Sequence, residues 1–233
     1  MDNRLKSILE NYDSMKIGLD DTFRFHCKMC GKCCTNREDI ILNPHDLYRL
    51  AKELDKEPFE VLSEYCDTYI GVSSKMVIVR LLPRGSAKRC PLLRGQKCSV
   101  HKAKPTVCAL YPLGRSLGGP TNALNSIENA EIQYILQPAS CGDDSETHTV
   151  REWLKDFDLL TEEAFFKKWM RIAVDYGKVI RKAEETFSEE VFNKLATSIL
   201  CLVYLNYVTS EPFMPQFEQN NREMRELFSA LSL

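Results

Sequence analysis

The chain has 233 residues, ten of them cysteine, with 44% hydrophobic and 27% charged residues and a formal net charge of −2. That length and balance suit one ordinary globular unit able to bury a core, and exclude collagen-like, disordered and bilayer-embedded classes. So small a net charge supplies no basic field of the kind that sequence-independent nucleic-acid binding depends on, so neither nucleic acid nor a membrane is an expected partner.

In chain order, the N-terminal MDNRLKSILENYDSMKIGLDD spaces charged and apolar residues as a short helix to about Tyr12. It has neither the apolar core nor the small-residue cleavage site of a secretory signal, and the expected location is the cytoplasm. Asn43-Pro44-His45-Asp46 reads as an N-cap, a first-turn proline and a first-turn acid, opening a helix to about Leu54. Glu57-Pro58 opens another, with Phe59, Leu62 and Cys66 near one face through about Tyr69. Met76 to Leu82 is rich in β-branched residues and reads as a strand, followed by turns at Pro83-Arg84-Gly85-Ser86 and Arg94-Gly95. From Thr147 the pattern is helical. Thr161 starts a helix whose Phe165, Trp169, Ile172, Tyr176 and Val179 form an apolar stripe, Ser188 caps a further helix with Phe192, Leu195, Ile199 and Val203, and the tail from about Pro215 to Leu233 forms a last one. The apolar run Ile199 to Val208 is shorter than the about 20 residues a membrane span needs and is expected to be buried. The expected fold is mainly α with short β-pieces: a loop-rich, cysteine-cluster metal-binding region over 1–146 and a helical segment over 147–233 packed on it as one compact domain.

The cysteines carry the chemistry. Clustered thiols in a reducing compartment are more often metal ligands or redox groups than disulfides. Cys27, Cys30, Cys33 and Cys34 fall within eight residues, at spacings that let a loop fold round a metal centre with backbone N–H groups turned toward sulfur. Gly31 permits the backbone conformation such a loop needs. Cys33 and Cys34 are adjacent, and neighbouring side chains diverge, so the pattern favours two centres or a polynuclear cluster over one tetrahedral ion. It also differs from the x3-then-x2 triad of radical S-adenosylmethionine chemistry. Cys90, Cys98 and Cys108 follow, with Pro91 and Pro105 stiffening their loops, and Cys141 precedes Gly142. Eight thiols suffice for two four-ligand sites, or for one cluster with further redox thiols. Cys66 and Cys201 read as small buried hydrophobes. His101 reads as a neighbour of the metal site that can donate a hydrogen bond or complete it, with His26 and His45 weaker candidates. Lys88, Arg89, Lys97, Lys102 and Lys104 make the middle segment locally basic, in balance with nearby thiolates or as a patch for an acidic partner.

The set Cys27-x2-Cys30-Gly31-x-Cys33-Cys34, Arg89-Cys90-Pro91, Cys98 with His101, Lys104-Pro105-x2-Cys108 with Tyr111-Pro112, and Cys141 resembles the YkgJ-type, or CxxCxxCC, family of zinc- or iron-chelating domain proteins. The resemblance implies bound metal, often an iron-sulfur centre. A related cysteine pattern occurs in the longer flagellin lysine-N-methylases, which use S-adenosylmethionine, and implies a protein lysine methyltransferase-like activity as an alternative. The expected cofactor is an iron-sulfur cluster of the four-iron, four-sulfide (4Fe-4S) type in a redox or group-transfer role, with zinc in a binding or scaffold module as the alternative. The partners are metal ions and a protein or redox partner. The expected ligands are Cys27, Cys30, Cys33, Cys34, Cys90, Cys98, Cys108 and Cys141.

Overall fold

A computed structural model describes residues 3–38, 40–118, 130–160 and 162–233. Helix α1 (Asn3–Met15) leads into strands β1 (Lys16–Ile17) and β2 (Thr22–His26). After a 3-10 turn at Lys32–Cys34 come β3 (Ile41–Leu42), α2 (Pro44–Leu54), α3 (Pro58–Tyr65), β4 (Cys66–Ile70) and β5 (Val77–Leu81). The middle of the chain holds β6 (Leu93–Arg94), β7 (Lys97–Cys98), α4 (Thr106–Leu110), β8 (Leu113–Leu117), β9 (Ile132–Leu136) and β10 (Asp143–Thr149). Then follow α5 (Val150–Asp156), α6 (Glu163–Thr186), α7 (Glu189–Leu200), a π-helical turn Cys201–Leu205 and α8 (Phe213–Ala230).

Helix α2 forms as its first residues dictate. The Asn43 side chain accepts from the Asp46 N–H, the Asp46 carboxylate accepts from the Asn43 N–H, and Pro44 fills the first turn. Ser188 caps α7 in the same way, accepting from the Val191 N–H. The expected start at Thr161 lies outside the described residues, and α6 begins at Glu163. Two expectations change. The helix from Pro58 ends at Tyr65, and Cys66–Ile70 turns into a strand paired along its length with β5, because Thr68, Tyr69 and Ile70 suit a half-buried pleat. Helix does not begin at Thr147 either. Asp143–Thr149, polar throughout, is drawn into a strand by antiparallel pairing with β2, and α5 starts only where Thr149 and Glu152 form a capping box.

Among the described residues the strands make four small antiparallel sheets: β1-β9-β8, β10-β2, β3-β5-β4 and the hairpin β6-β7. With 49% helix and 20% strand the protein is mixed α/β, so the expected mainly α fold is met in part, and the region from α6 onward is helical. Among the described residues no helix is long and apolar enough to cross a membrane.

Two apolar cores form. The larger joins α2, α3 and the β3-β5-β4 sheet to one face each of α6, α7 and α8, through residues such as Leu47, Val61, Val79, Ile180, Ile199 and Phe217. The smaller packs Phe23, Phe25, Leu110, Leu113, Tyr134, Trp153 and Leu154. Cys90, Cys98 and Cys108 border the first core and Cys27 borders the second, so the thiols lie where the two cores meet.

Candidate metal centre

Two segments far apart in sequence are tied together before any ion is considered. The Cys90 N–H donates to the Cys34 carbonyl at 2.8 Å and the Asn36 N–H to the Ala87 carbonyl at 3.0 Å, so the Cys27–Cys34 loop is stitched to the stretch entering the β6-β7 hairpin. Gly31 takes φ of 71°, and a Cβ there would stand 3.1 Å from the Gln96 carbonyl, so the hairpin tip packs on a position open only to glycine. The third segment is fixed from α2. Buried Asp46 accepts through Oδ1 from the Thr106 N–H at 2.7 Å and the Thr106 hydroxyl at 2.7 Å, while Arg49 donates to the Lys104 carbonyl at 3.2 Å. These bonds hold the first turn of α4, which carries Cys108.

The result is one chamber lined by Cys27, Cys30, Cys33, Cys34, Cys90, Cys98, Cys108 and Cys141 together. All eight thiols singled out by spacing are present, none of them in a disulfide. The chamber encloses about 80 Å³, against roughly 10–15 Å³ that a single water occupies by the same measure. A smaller pocket of about 20 Å³ behind it is lined by Cys33, Cys34, Cys90 and Cys108 among others. The Cys33 and Cys34 sulfurs stand 3.8 Å apart, close to the edge of about 3.8 Å that Zn–S bonds of about 2.3 Å impose on a tetrahedron. Yet among the described residues no group of three or more His, Cys, Asp or Glu side chains is closed to single-ion distance. The thiols ring a space instead of converging on a point.

Backbone donors point at the sulfurs. Cys30 accepts from the Lys32 N–H, Cys90 from the Leu92 N–H and Cys98 from the Val100 N–H, the same step of two residues each time, and Cys30 also accepts from the Gly142 N–H. The Lys32 N–H lowers the Cys30 thiol below its ordinary value. Its neighbours move the other way. Cys33 is raised strongly by its bond with Cys34, by burial and by the Cys34 charge; Cys90, Cys98 and Cys108 are raised by burial first and then by the charge of neighbouring thiols, Cys33 among them. Cys141 is pushed up to about 11 by burial and then by Cys33, against a hydrogen bond with the Tyr111 hydroxyl. Cys33 acts on each of Cys90, Cys98, Cys108 and Cys141, which makes it the junction of the set. Thiols this close ionise together only with positive charge among them, which is the donor chemistry of a soft metal centre.

Of the remaining candidates, His101 lines the chamber, with burial and then Lys104 holding it below its ordinary value. His26 lies outside the lining and sits 2.6 Å from Glu146. His45 is structural, 3.3 Å from buried Glu162 and stacked on Phe213 at 4.5 Å. Cys66 is buried as expected, but Cys201 is exposed: the π-helical turn rotates it out of the core that Val203 and Tyr204 enter. Several wall residues gave no signal in the spacing. Arg37 borders both thiol spaces, and Trp153 closes one side, its indole N–H donating to the Ala109 carbonyl at 3.1 Å and its ring edge-on to Phe25. Their roles arise from tertiary proximity alone.

The charge along the middle of the chain is one-sided. Residues 68–127 contain no Asp or Glu and ten Lys or Arg. Lys75, Arg80 and Lys88 pair with acids from outside that stretch, whereas Arg89 and Arg94 donate to carbonyls at Gly95 and Pro91 and Lys104 lies over Phe157.

A family model, CxxCxxCC, described as "Putative zinc- or iron-chelating domain", matches residues 26–142, half of the chain, and spans all eight of these cysteines. No curated protein and no solved structure matches.

Proposed function

The chain belongs to the CxxCxxCC family, and on that premise we propose that it is an iron-sulfur protein whose chamber holds a four-iron, four-sulfide centre in a redox role. The observation that carries the reading is the chamber itself: eight thiols from four segments line a single space several times larger than one ion or water fills. Such a centre supplies one-electron transfer at sulfur-ligated iron. The chain's own groups do the rest. Cys27, Cys30, Cys33, Cys34, Cys90, Cys98, Cys108 and Cys141 supply the thiolates, four for the cluster and the others for a second centre or as redox thiols. The N–H groups of Lys32, Leu92, Val100 and Gly142 withdraw charge from sulfur and favour the reduced state. Trp153 and Phe25 exclude water from one wall, and Tyr111 holds the Cys141 segment through its hydroxyl, which accepts from the Ser140 N–H at 2.7 Å. In this reading residues 1–146 and 147–233 fold as one unit in the cytoplasm, and the cationic stretch 68–127 receives an acidic redox partner.

The test is optical. Protein purified without oxygen is brown, with broad visible absorption that bleaches on adding dithionite. Colourless protein carrying stoichiometric zinc overturns the iron-sulfur reading.

A second reading has its own observation. The 3.8 Å between the Cys33 and Cys34 sulfurs matches one edge of a zinc tetrahedron, and with Cys90 and Cys108, which share the small pocket, drawn in around it such an ion would staple the loops of a binding module. Zinc at one or two per chain without iron is its signature.

A further inference from the structure

A separate cavity adjoins the thiol chamber and shares Arg37, Val107 and Tyr111 with it. It encloses about 440 Å³, within the range of about 300–1,000 Å³ usual for small-molecule sites. Its apolar lining comes from Phe166, Trp169, Met170 and Ala173 of α6 and from Met76, Val77 and Ile78, and the carboxylate among its lining residues, Asp46, is already bonded to Thr106 and Arg49. Arg115 of β8 also lines the cavity, its guanidinium 4.1 Å above the Phe166 ring.

Arg115 is the informative residue. Its Nε and Nη1 are buried and have no hydrogen-bond partner among the described residues, while the guanidinium also faces the Tyr134 hydroxyl. The acid whose charge it feels, Glu162, stands 3.1 Å from Arg49 and 3.3 Å from His45, and among the described residues its carboxylate makes no hydrogen bond to Arg115. Buried donors of a fixed cation left unfilled are unfavourable, and an incoming oxyanion satisfies them with charge-assisted bonds.

We propose that this cavity binds an amphipathic organic anion: a carboxylate or sulfonate group on Arg115, with an apolar body laid along α6. Binding rests on the cavity and Arg115 alone; only the role of such an anion as a substrate of the neighbouring metal centre rests on the redox reading above. The shared wall of Arg37 and Tyr111 puts the occupant next to the thiols in either case.

The test uses the full chain with the metal it carries on purification. Titration with 1-anilinonaphthalene-8-sulfonate gives blue-shifted emission saturating at one probe per chain. Decanoate displaces the probe, whereas decylamine, with the same apolar body and the opposite charge, does so at least about tenfold more weakly. Arg115→Gln weakens decanoate by about ten- to a hundredfold, the range for losing a hydrogen bond to a charged group. Ala173→Trp, which fills space along the α6 lining, abolishes probe binding. Equal displacement by decanoate and decylamine on the unaltered protein overturns the proposal and requires no variant to fold. Unchanged decanoate affinity in folded R115Q overturns it as well. Metal analysis of the same samples reports separately on the iron-sulfur reading, so either proposal can fail while the other stands.

Discussion

Asp46 links the capping of α2 to the position of Cys108, and removing its carboxylate is the sharpest probe of that link. The side chain is 2% exposed. It accepts from the Thr106 N–H and hydroxyl, both at 2.7 Å, from Arg49 at 3.0 Å and from the Asn43 N–H at 3.1 Å. Asp46→Ala leaves the Thr106 N–H buried without its carboxylate and Arg49 without its nearer acid. Each lost hydrogen bond to a charged group is worth roughly 1.5–3 kcal/mol and the losses do not add, so the expected cost is about 3–5 kcal/mol, the range for breaking a buried pair. With a urea slope of about 2–3 kcal/mol per M, the unfolding midpoint falls by about 1–2 M. Asp46→Asn keeps one acceptor oxygen and costs about half as much. Urea melts followed by far-UV circular dichroism, on samples matched for metal content, read both values. The metal content of D46A as purified also drops, because the α4 turn carrying Cys108 loses its anchor. A loss below about 1 kcal/mol, or full metal retention beside a large loss of stability, refutes this coupling.

Four other outcomes follow from the same geometry. Gly177→Ala lowers stability by about 1–3 kcal/mol in a thermal melt although alanine is the better helix former, because its Cβ would clash with the Ser74 carbonyl. Glu162 is opposed by burial but outweighed by His45, Arg49 and Arg115, which hold it below its ordinary 4.5; a lowered folded value means stability present above that pH and lost as pH falls through the folded value. Glu162→Gln therefore costs roughly 1–3 kcal/mol at pH 7 and flattens the acid limb of urea midpoints measured from pH 3 to 7. Cys33→Ser removes at least half of the bound metal, whereas Cys66→Ala costs roughly 1 kcal/mol and leaves metal unchanged, as elemental analysis shows. Stripping the metal with a chelator lowers the melting temperature by about 10 °C or more, since the front loops lose what holds their sulfurs together.

How much could be read in the sequence follows from how local each signal is. Asn43-Pro44-x-Asp46 and Ser188 fix helix starts within one turn, and both sit where expected. The cysteine spacings are equally local, and the eight thiols meet. What could not be read depends on partners distant in the chain. Asp143–Thr149 is a strand only because Phe23 and its neighbours pair with it, against the preference of its Asp, Ser and Glu. The helix pattern through Cys66 yields to pairing with Val77–Leu81. Cys201 looks internal in its apolar run, but the change from α to π geometry alters the angle at which the side chain leaves the axis. Arg37, Trp153 and Arg115 carry no motif at all; their positions beside the cavities exist only once the strands and α6 have packed.

Iron and acid-labile sulfide counted per chain, on protein purified and assayed without oxygen, test the central claim most directly. The account predicts about four of each, or a multiple if a second centre is present. Protein that is folded and reduced but holds neither metal nor sulfide, with its eight thiols all open to alkylation, contradicts it.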